Sequence, residues 1–344
     1  MKQILIIGPI SHPGIGKTYG GTTVLMQDFY DYLKANNIEF RFIQSNKFVF
    51  KGAFTINFVY VIIKCFIFIP FSKKVMVNAS SNGTFYLAPF IFIMSAVFNS
   101  KFVFRKFGGG FDELYTEANS GLKYLIRKTI LKADLIFVET QHLVNYFSEY
   151  SQYIHWFPNV RQKPNFQYSN TRKFKKRFVF ISHVKRGKGI FEILECSNFL
   201  PDDYNIDIYG PIVDDEIDLE LFKKFKVNYK GSLPPKEVLT TLNQYDVLLL
   251  PTFHPTEGYP GILIEAYSLG IPVITTNWKA IPEIVEDGLT GFLIKPQSSK
   301  ALQEAIMQFN VKNYLSFSKA ARAKFSDFDR DIVNKRVLDE IIKL

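Results

Sequence analysis

The sequence predicts two α/β domains, each built around a parallel β-sheet. The chain has 344 residues, about twice the usual length of one domain. Short apolar runs alternate with longer helical patterns, as is typical of parallel sheets with helices on both faces. A polar, basic segment divides this alternation into two stretches of similar length. With 47% hydrophobic and 22% charged residues, the composition excludes a disordered chain and a coiled coil.

The first stretch, residues 1–160, predicts one complete domain. Its opening segment, MKQILIIGPI, carries one lysine and an apolar run too short for a signal peptide, so we expect a buried strand there. The predicted strands are Ile4–Ile7, Phe40–Ile43, Lys74–Val77, Phe102–Lys106 and Leu135–Val138. The predicted helices include Thr22–Lys34 and Leu122–Lys132.

Two long apolar stretches of the first half bear on membrane association. Ala53–Phe71 is the nearest approach to a membrane span, but Lys64 interrupts it and Pro70 ends it. A spanning helix needs about 20 apolar residues without interruption. Tyr86–Phe98 has only 13 residues, which predicts a buried helix. We therefore expect a soluble chain that lies on a membrane without crossing it.

Residues 161–177, RQKPNFQYSNTRKFKKR, predict a basic linker between the domains, because they contain one proline and no apolar period. The alternation restarts at Phe178, and we expect a second domain over residues 178–325. Its predicted strands are Phe178–Ile181, Ile206–Tyr209, Val247–Leu250 and Val273–Thr276. Its predicted helices are Gly189–Asn198, Lys236–Tyr245, Gly261–Leu269 and Lys300–Gln308. A C-terminal helix over residues 326–344 could return to the first domain.

The net charge of +10 is unevenly distributed. Residues 1–160 carry 16 basic and 9 acidic side chains, the linker carries 7 and none, and the remainder carries 19 and 23. The first half therefore suits an anionic surface, whereas nucleic-acid binding has no recognisable module. Two cysteines, Cys65 and Cys196, are too few for a disulfide framework or a zinc site, which predicts an intracellular chain not built round a metal.

Ligands of parallel sheets bind beyond the carboxyl ends of the strands, so the loops there are the first places to search. The loop after the first strand fits neither a P-loop nor a dinucleotide fingerprint, yet it ends in Gly20-Gly21 just before a helix. Backbone N–H groups at such a helix start can approach an anion or a sugar hydroxyl closely. Gly108-Gly109-Gly110 follows another predicted strand. Either cluster also suits an ordinary surface turn.

Residues 251–294 hold the most informative segment. Glu257 lies in the loop after a strand, and Glu265 lies about one turn inside a helix that begins near Gly261. Carboxylates there can accept hydrogen bonds from the paired hydroxyls of a sugar or ribose, while the helix start attracts an anion. A two-carboxylate hydrolase fits less well, because eight helical positions separate backbones by about 12 Å. On spacing alone, a solvated Glu257 and a surface Glu265 also stay open.

The motifs Glu-Gly-Tyr-Pro, Gly-Ile-Pro-Val-Ile and Ile-Pro-Glu-Ile-Val-Glu-Asp-Gly-Leu-Thr-Gly resemble the nucleotide-sugar signature of retaining, family 4-like glycosyltransferases of the GT-B fold. The resemblance is nearly unbroken from Gly231 to Pro296. Weaker similarities are Gly20-Gly21, Pro158-Asn159-Val160, Lys188-Gly189 and Gly210-Pro211. The resemblance implies two Rossmann-like, doubly wound parallel-sheet domains that face each other across a cleft. The first would bind the acceptor and the second the nucleotide-sugar.

The resemblance also implies roles for individual residues. Glu265 would hold the donor ribose, and Glu257 with the backbone amides of Gly258 and Tyr259 would hold the transferred sugar. Lys188 would neutralise the diphosphate, so the catalytic roles fall on Glu257 and Lys188. The other implied donor-binding residues are Gly21, His183, Pro260, Gly261 and Ile262. The implied acceptor-binding residues are Gly20, Gly108 and Gly109.

Two departures from the family pattern leave the donor sugar open. His183 stands where an arginine is usual, and Phe107-Gly108 replaces a common His-Gly. The resulting expectation is a retaining hexosyl- or N-acetylhexosaminyltransferase that uses a UDP- or GDP-linked donor, without a metal or other cofactor. A glycan or polyprenyl-diphosphate-linked acceptor would serve bacterial surface polysaccharide synthesis, on the cytoplasmic face of an anionic membrane. The alternatives are a nucleotide-sugar epimerase of the same fold and a non-catalytic glycosyltransferase-like binding subunit.

Overall fold

The computed structural model describes residues 4–11, 21–50, 52–80, 83–165 and 172–344. The chain divides into two compact units. One comprises Met1–Val160 together with Arg330–Leu344, and the other comprises Arg161–Asp329. Each unit is built around its own six-stranded sheet.

The sheet of the first unit is parallel throughout, in the order β2-β1-β3-β4-β5-β6. Its strands are β1 (Ile4–Gly8), β2 (Phe40–Gln44), β3 (Lys74–Ala79), β4 (Lys101–Lys106), β5 (Leu135–Val138) and β6 (Ile154–Trp156). Leu5 and Ile7 join the core on one face of the sheet, while Ile4 and Ile6 join the core on the other. Burial on both faces explains why the inner strands are largely apolar, whereas the edge strand β2 carries Arg41 and is only partly buried. The strand order reverses between β1 and β3.

Six helices of this unit precede the second sheet along the chain. They are α1 (Gly21–Ala35), α2 (Ala53–Phe68), α3 (Ala88–Val97), α4 (Phe111–Glu117), α5 (Ser120–Lys128) and α6 (Gln141–Phe147). The prediction of a buried helix over Tyr86–Phe98 was wrong in one respect. The segment is helical, but Tyr86, Ile93 and Val97 are exposed, because only its inner side packs on β3 and β4.

The second unit repeats the architecture, with a parallel sheet in the order β12-β11-β10-β7-β8-β9. Its strands are β7 (Arg177–Ile181), β8 (Asn205–Tyr209), β9 (Asn228–Tyr229), β10 (Val247–Leu250), β11 (Val273–Thr276) and β12 (Gly291–Ile294). Its helices are α7 (Ile190–Ser197), α8 (Leu219–Phe222), α9 (Val238–Leu242), α10 (Gly261–Ser268), α11 (Ser299–Gln308) and α12 (Tyr314–Lys324). The strand order reverses between β7 and β10. Two doubly wound parallel sheets confirm the predicted fold class.

The segments expected at the domain boundaries pack differently from a free linker. Arg161 and the described part of the basic segment belong to the second unit, where Arg172 donates to Tyr314 Oη and Asn243 Oδ1, both at 3.0 Å. The last helix, α13 (Arg330–Lys343), begins four residues later than expected, because a 3-10 turn occupies Phe325–Phe328. Within the first unit, α13 contacts α1 and buries Val337 in the shared core.

Candidate functional site

The loops that follow β7 and β10 meet at the switch point of the second sheet. The two strands are parallel neighbours, so their carboxyl ends lie at the same edge. Gly189 has a φ of +78°, and a Cβ there would lie 2.2 Å from the carbonyl oxygen of Pro251. The backbone N–H of Phe253 donates to the carbonyl of Gly187 at 2.9 Å. Glycine therefore allows the two loops to touch, which brings their side chains together.

Lys188 and Glu257 form an ion pair between these loops. The ammonium of Lys188 donates to Oε2 of Glu257, and the two side chains are only 15% and 11% exposed. The hydroxyl of Thr252 donates to the same Oε2 at 2.9 Å. Charge-assisted hydrogen bonds in a site with little water are stronger than exposed ones. The two predicted catalytic residues are thus in contact, and Thr252, which the sequence reasoning missed, orients the carboxylate.

A second basic contact lies beside this pair. Nζ of Lys185 is 2.7 Å from Nε2 of His254. Burial lowers the pKa of His254, and the charges of Lys185 and Lys188 lower it further. A neutral imidazole can accept the lysine hydrogen bond, whereas an imidazolium cannot. Two lysines therefore place positive charge at one edge of the sheet, which suits an anionic ligand.

The start of α10 adds backbone donors to the same site. The N–H groups of Gly258, Gly261 and Ile262 donate to no residue that the structure describes. Such groups at a helix start, with the positive end of the helix dipole, attract anions. Glu265 lies one turn inside the helix, as the sequence predicts.

Arg161 is the main residue that the sequence reasoning assigned elsewhere. Its Nε donates to Oε1 of Glu265 at 2.6 Å. A Cβ on Gly261 would lie 1.7 Å from Arg161 Nη2, so the glycine allows the guanidinium to cross the helix start. The position of Arg161 directly after Pro158-Asn159-Val160 was the only sequence signal for this contact.

Three other predicted donor-binding residues differ in accessibility. The side chain of Tyr259 is buried and its hydroxyl donates to Glu283, so the hydroxyl is not available to a ligand. Pro260 is buried directly before α10. His183 follows β7, is exposed, and makes no hydrogen bond or ion pair within the described ranges.

The structure describes most, but not all, of the glycines that were predicted to bind ligands in the first unit. Gly20 lies outside the described residues, whereas Gly21 is exposed at the start of α1. Gly108 follows β4 with a φ of +84°, and its N–H donates to Oε2 of Glu139 at 2.9 Å. Gly109 is half-buried beside it. Burial lowers the pKa of the neighbouring Lys106 to about 8, although Glu139 opposes this shift. The sequence reasoning missed Glu139.

A cavity of about 250 Å³ lies at the switch point of the first sheet. The segments that follow β1, β2 and β3 form its polar floor, and α2 and residues 83–87 form its apolar wall. Asn78 is 4% exposed and donates through Nδ2 to the carbonyl of Ile7 at 3.2 Å. Its Oδ1 accepts no hydrogen bond from any described residue. The cavity therefore combines polar and apolar side chains.

Residues 162–324, which contain the cluster around Lys188 and Glu257, match the family described as glycosyl transferases group 1. This segment, called the group 1 domain below, is similar to that family. The group 1 domain corresponds closely to the second unit of the fold. The predicted resemblance to glycosyltransferases is supported over this segment, and the predicted fold class is confirmed.

Similar proteins fit the group 1 assignment. WcaL of Salmonella typhimurium, named for colanic acid biosynthesis, is 33% identical over 119 residues, which are 32% of this chain and 29% of WcaL. The amylovoran biosynthesis glycosyltransferase AmsK of Erwinia amylovora is 27% identical over 125 residues, 34% of this chain and 31% of AmsK. The matched segments span less than a third of either relative.

The fold is similar to that of Anabaena Alr3699/HepE, whose crystal structure contains UDP. The TM-score is 0.72 at 15% sequence identity, and the match covers 99% of this chain and 100% of the other. At this identity the likeness concerns the fold alone.

Proposed function

We propose that the protein is a retaining glycosyltransferase that transfers a sugar from a UDP- or GDP-linked donor. One observation carries the proposal. At the switch point of the group 1 domain, the Lys188 ammonium and the free N–H groups of α10 lie beside the carboxylates of Glu257 and Glu265. Cations and helix N–H groups suit a diphosphate, and carboxylates suit hydroxyls.

In this proposal each group binds a separate part of the donor. Lys188 has three N–H donors; one holds Glu257, and the others serve the diphosphate. Glu257, held by Lys188 and Thr252, accepts from hydroxyls of the transferred sugar. Arg161 fixes the Glu265 carboxylate through Oε1, which leaves Oε2 for the ribose hydroxyls. The exposed His183 adds a donor at the end of β7.

The proposed reaction breaks the bond between the anomeric carbon and the diphosphate oxygen. The acceptor hydroxyl oxygen bonds to the anomeric carbon on the same face, and its proton passes to the departing phosphate oxygen. Negative charge grows on the diphosphate as the bond breaks, so the Lys188 ammonium and the α10 N–H groups stabilise the transition state. No metal takes part in this scheme. No group of three or more His, Cys, Asp or Glu suited to a metal ion occurs among the residues described.

A thermal-shift screen with UDP, GDP, ADP and their sugars tests donor binding, because a ligand of the folded state raises the melting temperature. Glu265→Ala should remove most of the shift. Glu304→Ala, an equal charge change on the exposed side of α11, should leave it intact. Equal shifts for the two variants would refute the ribose role of Glu265.

Turnover tests the chemistry. NMR of the product should show the anomeric configuration of the donor, and EDTA should leave the rate unchanged. An inverted product or an EDTA-sensitive rate would contradict these two parts of the proposal. An epimer formed without acceptor would identify an epimerase, and binding without turnover would identify a non-catalytic subunit.

We also propose that the first unit holds the acceptor, a glycan or a polyprenyl-diphosphate-linked glycan of bacterial surface polysaccharide synthesis, at an anionic membrane on its cytoplasmic face. The relatives named for colanic acid and amylovoran support this class of product. The cavity beside β1 and β3 supports a ligand site in this unit, in addition to Gly20, Gly108 and Gly109. Transfer of radioactive sugar to extracted lipid-linked glycans tests the acceptor class.

A further inference from the structure

The first unit carries a broad exposed apolar surface. Of the 23 large hydrophobic side chains that are exposed in the described residues, 13 lie between Val49 and Phe98. We call the part formed by the two helices and their ends the α2–α3 surface. It consists of Phe54, Ile56, Val59, Ile63, Phe66, Ile67, Phe71, Tyr86, Ile93, Val97 and Phe98. Soluble monomers rarely expose apolar patches of such extent unless the patch binds something.

The helix α2 is apolar on both sides. Val61 and Cys65 are fully buried in the core of the first unit, and Ile69 follows them there. The opposite side bears Ile63 and Phe66 at helical spacing, and both are more than half exposed. A surface helix normally has a polar outer face. The outer face of α2 therefore suits an apolar environment.

The exposed sides of α2 and α3 are continuous. The ring of Phe66 lies edge-on to the ring of Phe90, with centroids 6.2 Å apart. Phe54 and Tyr86 belong to the α2–α3 surface and also line the cavity at the switch point of the first sheet. The cavity therefore opens beside this surface.

The charge around the surface indicates what covers it. Residues 40–111, which include α2 and α3, contain nine lysines and arginines and no aspartate or glutamate. Arg105 and Lys106 are buried and do not contribute to the charge at the surface. Nζ of Lys64 lies 5.5 Å from the ring centroid of Phe68, and Nζ of Lys47 lies 4.6 Å from that of Tyr60. Cations therefore flank the apolar side chains of α2. Apolar side chains with a basic border match the acyl chains and anionic headgroups of a lipid bilayer.

We propose that the α2–α3 surface docks the protein on an anionic lipid bilayer. The helix α2 lies along the membrane, with its outer side chains at the boundary between headgroups and acyl chains and with lysines at the phosphates. Ala53–Phe71 is long and apolar enough to span a membrane, with a mean hydropathy of 2.0. Its inner side is core of the first unit, which a crossing would expose. Docking also brings the cavity to the lipid. The role of the cavity in binding a membrane-borne acceptor rests on the proposed function.

Vesicle co-sedimentation of the full chain tests the docking. Vesicles of phosphatidylglycerol mixed with phosphatidylcholine should bind the protein, vesicles of phosphatidylcholine alone should bind it weakly, and salt should reduce binding. The double variant Ile63→Glu/Phe66→Glu should reduce the binding affinity by roughly tenfold or more. Its matched control is Phe199→Glu/Val311→Glu in the second unit, whose side chains are 70% and 77% exposed. This control should bind like the unmodified protein.

Removal of positive charge gives a second, independent test of the docking. Lys47→Gln/Lys64→Gln should weaken binding to the anionic vesicles and leave the weak binding to phosphatidylcholine unchanged. Circular dichroism confirms that each variant is folded.

Three results would overturn the inference. The first is no binding to anionic vesicles at physiological salt, and the second is equal binding by the Ile63/Phe66 variant and its control. The third is resistance of membrane-bound protein to alkaline carbonate extraction, which would show a crossing helix. Nucleotide thermal shifts separate this inference from the proposed function. Vesicle binding without any nucleotide shift would refute the proposed sugar transfer and leave the docking surface standing. A nucleotide shift without vesicle binding would refute the docking surface and the membrane location of the acceptor, and it would leave the proposed sugar transfer standing.

Discussion

Replacement of Lys188 by methionine tests the central ion pair of the site. Methionine keeps most of the apolar stem and removes the ammonium, so Glu257 retains Thr252 as its hydrogen-bond donor but loses its cation. Removing one partner of a fully buried pair costs about 3–5 kcal/mol, whereas an exposed pair contributes about 0–1 kcal/mol. With 15% and 11% exposure, the Lys188–Glu257 pair is close to the buried limit. We therefore expect a loss of about 2–3 kcal/mol in the free energy of unfolding.

The effect on nucleotide binding has a separate magnitude. A hydrogen bond to a charged group contributes about 1.5–3 kcal/mol, which corresponds to roughly 10- to 150-fold in the dissociation constant. Titration calorimetry with UDP or GDP, whichever binds the unmodified protein, should show a loss in this range for Lys188→Met. The same experiment measures whether the diphosphate depends on this ammonium.

A double-mutant cycle with Glu257→Gln isolates the pair, and the chain permits a specific optical signal. The two tryptophans are Trp156 in the first unit and Trp278 in the second, so a Trp156→Phe background reports unfolding of the second unit alone. The control cycle uses Lys226→Met and Asp202→Asn, an ion pair with 52% and 94% exposure. We expect a coupling of about 1–2 kcal/mol at the site and under about 0.5 kcal/mol for the control. Equal couplings, or an unchanged nucleotide affinity, would refute the reasoning.

Three further predictions concern particular positions. In a urea titration, Gly210→Ala should lower the free energy of unfolding by about 3 kcal/mol or more, because φ is +138° and a Cβ would lie 1.7 Å from the Ser182 carbonyl oxygen. Gly231→Ala is the control, because φ is +81° but the space around it is open, and it should cost only about 1–2 kcal/mol. Gly261→Ala should displace Arg161 from Glu265 and weaken nucleotide binding by roughly tenfold in calorimetry, and an unchanged affinity would show that the Arg161 position is unimportant. The pKa of Lys106 falls from 10.5 to about 8 on folding, so the unfolded chain binds more protons between these values and the free energy of unfolding should rise with pH across that window by up to about 3 kcal/mol. Lys106→Met should lack this rise, and parallel pH curves for the two proteins would contradict the assignment.

Local sequence determined most of the secondary structure and the resemblance to glycosyltransferases. The nine predicted strands were found because strands buried on both faces are largely apolar, and the turns between them are marked by Gly, Pro and Asn. The partly buried strands β2 and β8 keep shorter apolar patterns. The motif around Glu257 and Glu265 was readable for the same reason, since the loop, the helix start and both carboxylates lie within nine consecutive residues. Such features depend on neighbours in the chain.

Tertiary structure decided which distant groups meet. Lys188 and Glu257 are 69 positions apart and touch because the sheet order makes β7 and β10 neighbours. Arg161 was predicted to lie in a linker and instead binds Glu265, since its role depends on where the chain enters the second unit. The sequence pattern of an apolar helix is the same whether the helix is fully buried or exposed on one side. Only the packing of α2 therefore revealed its exposed face.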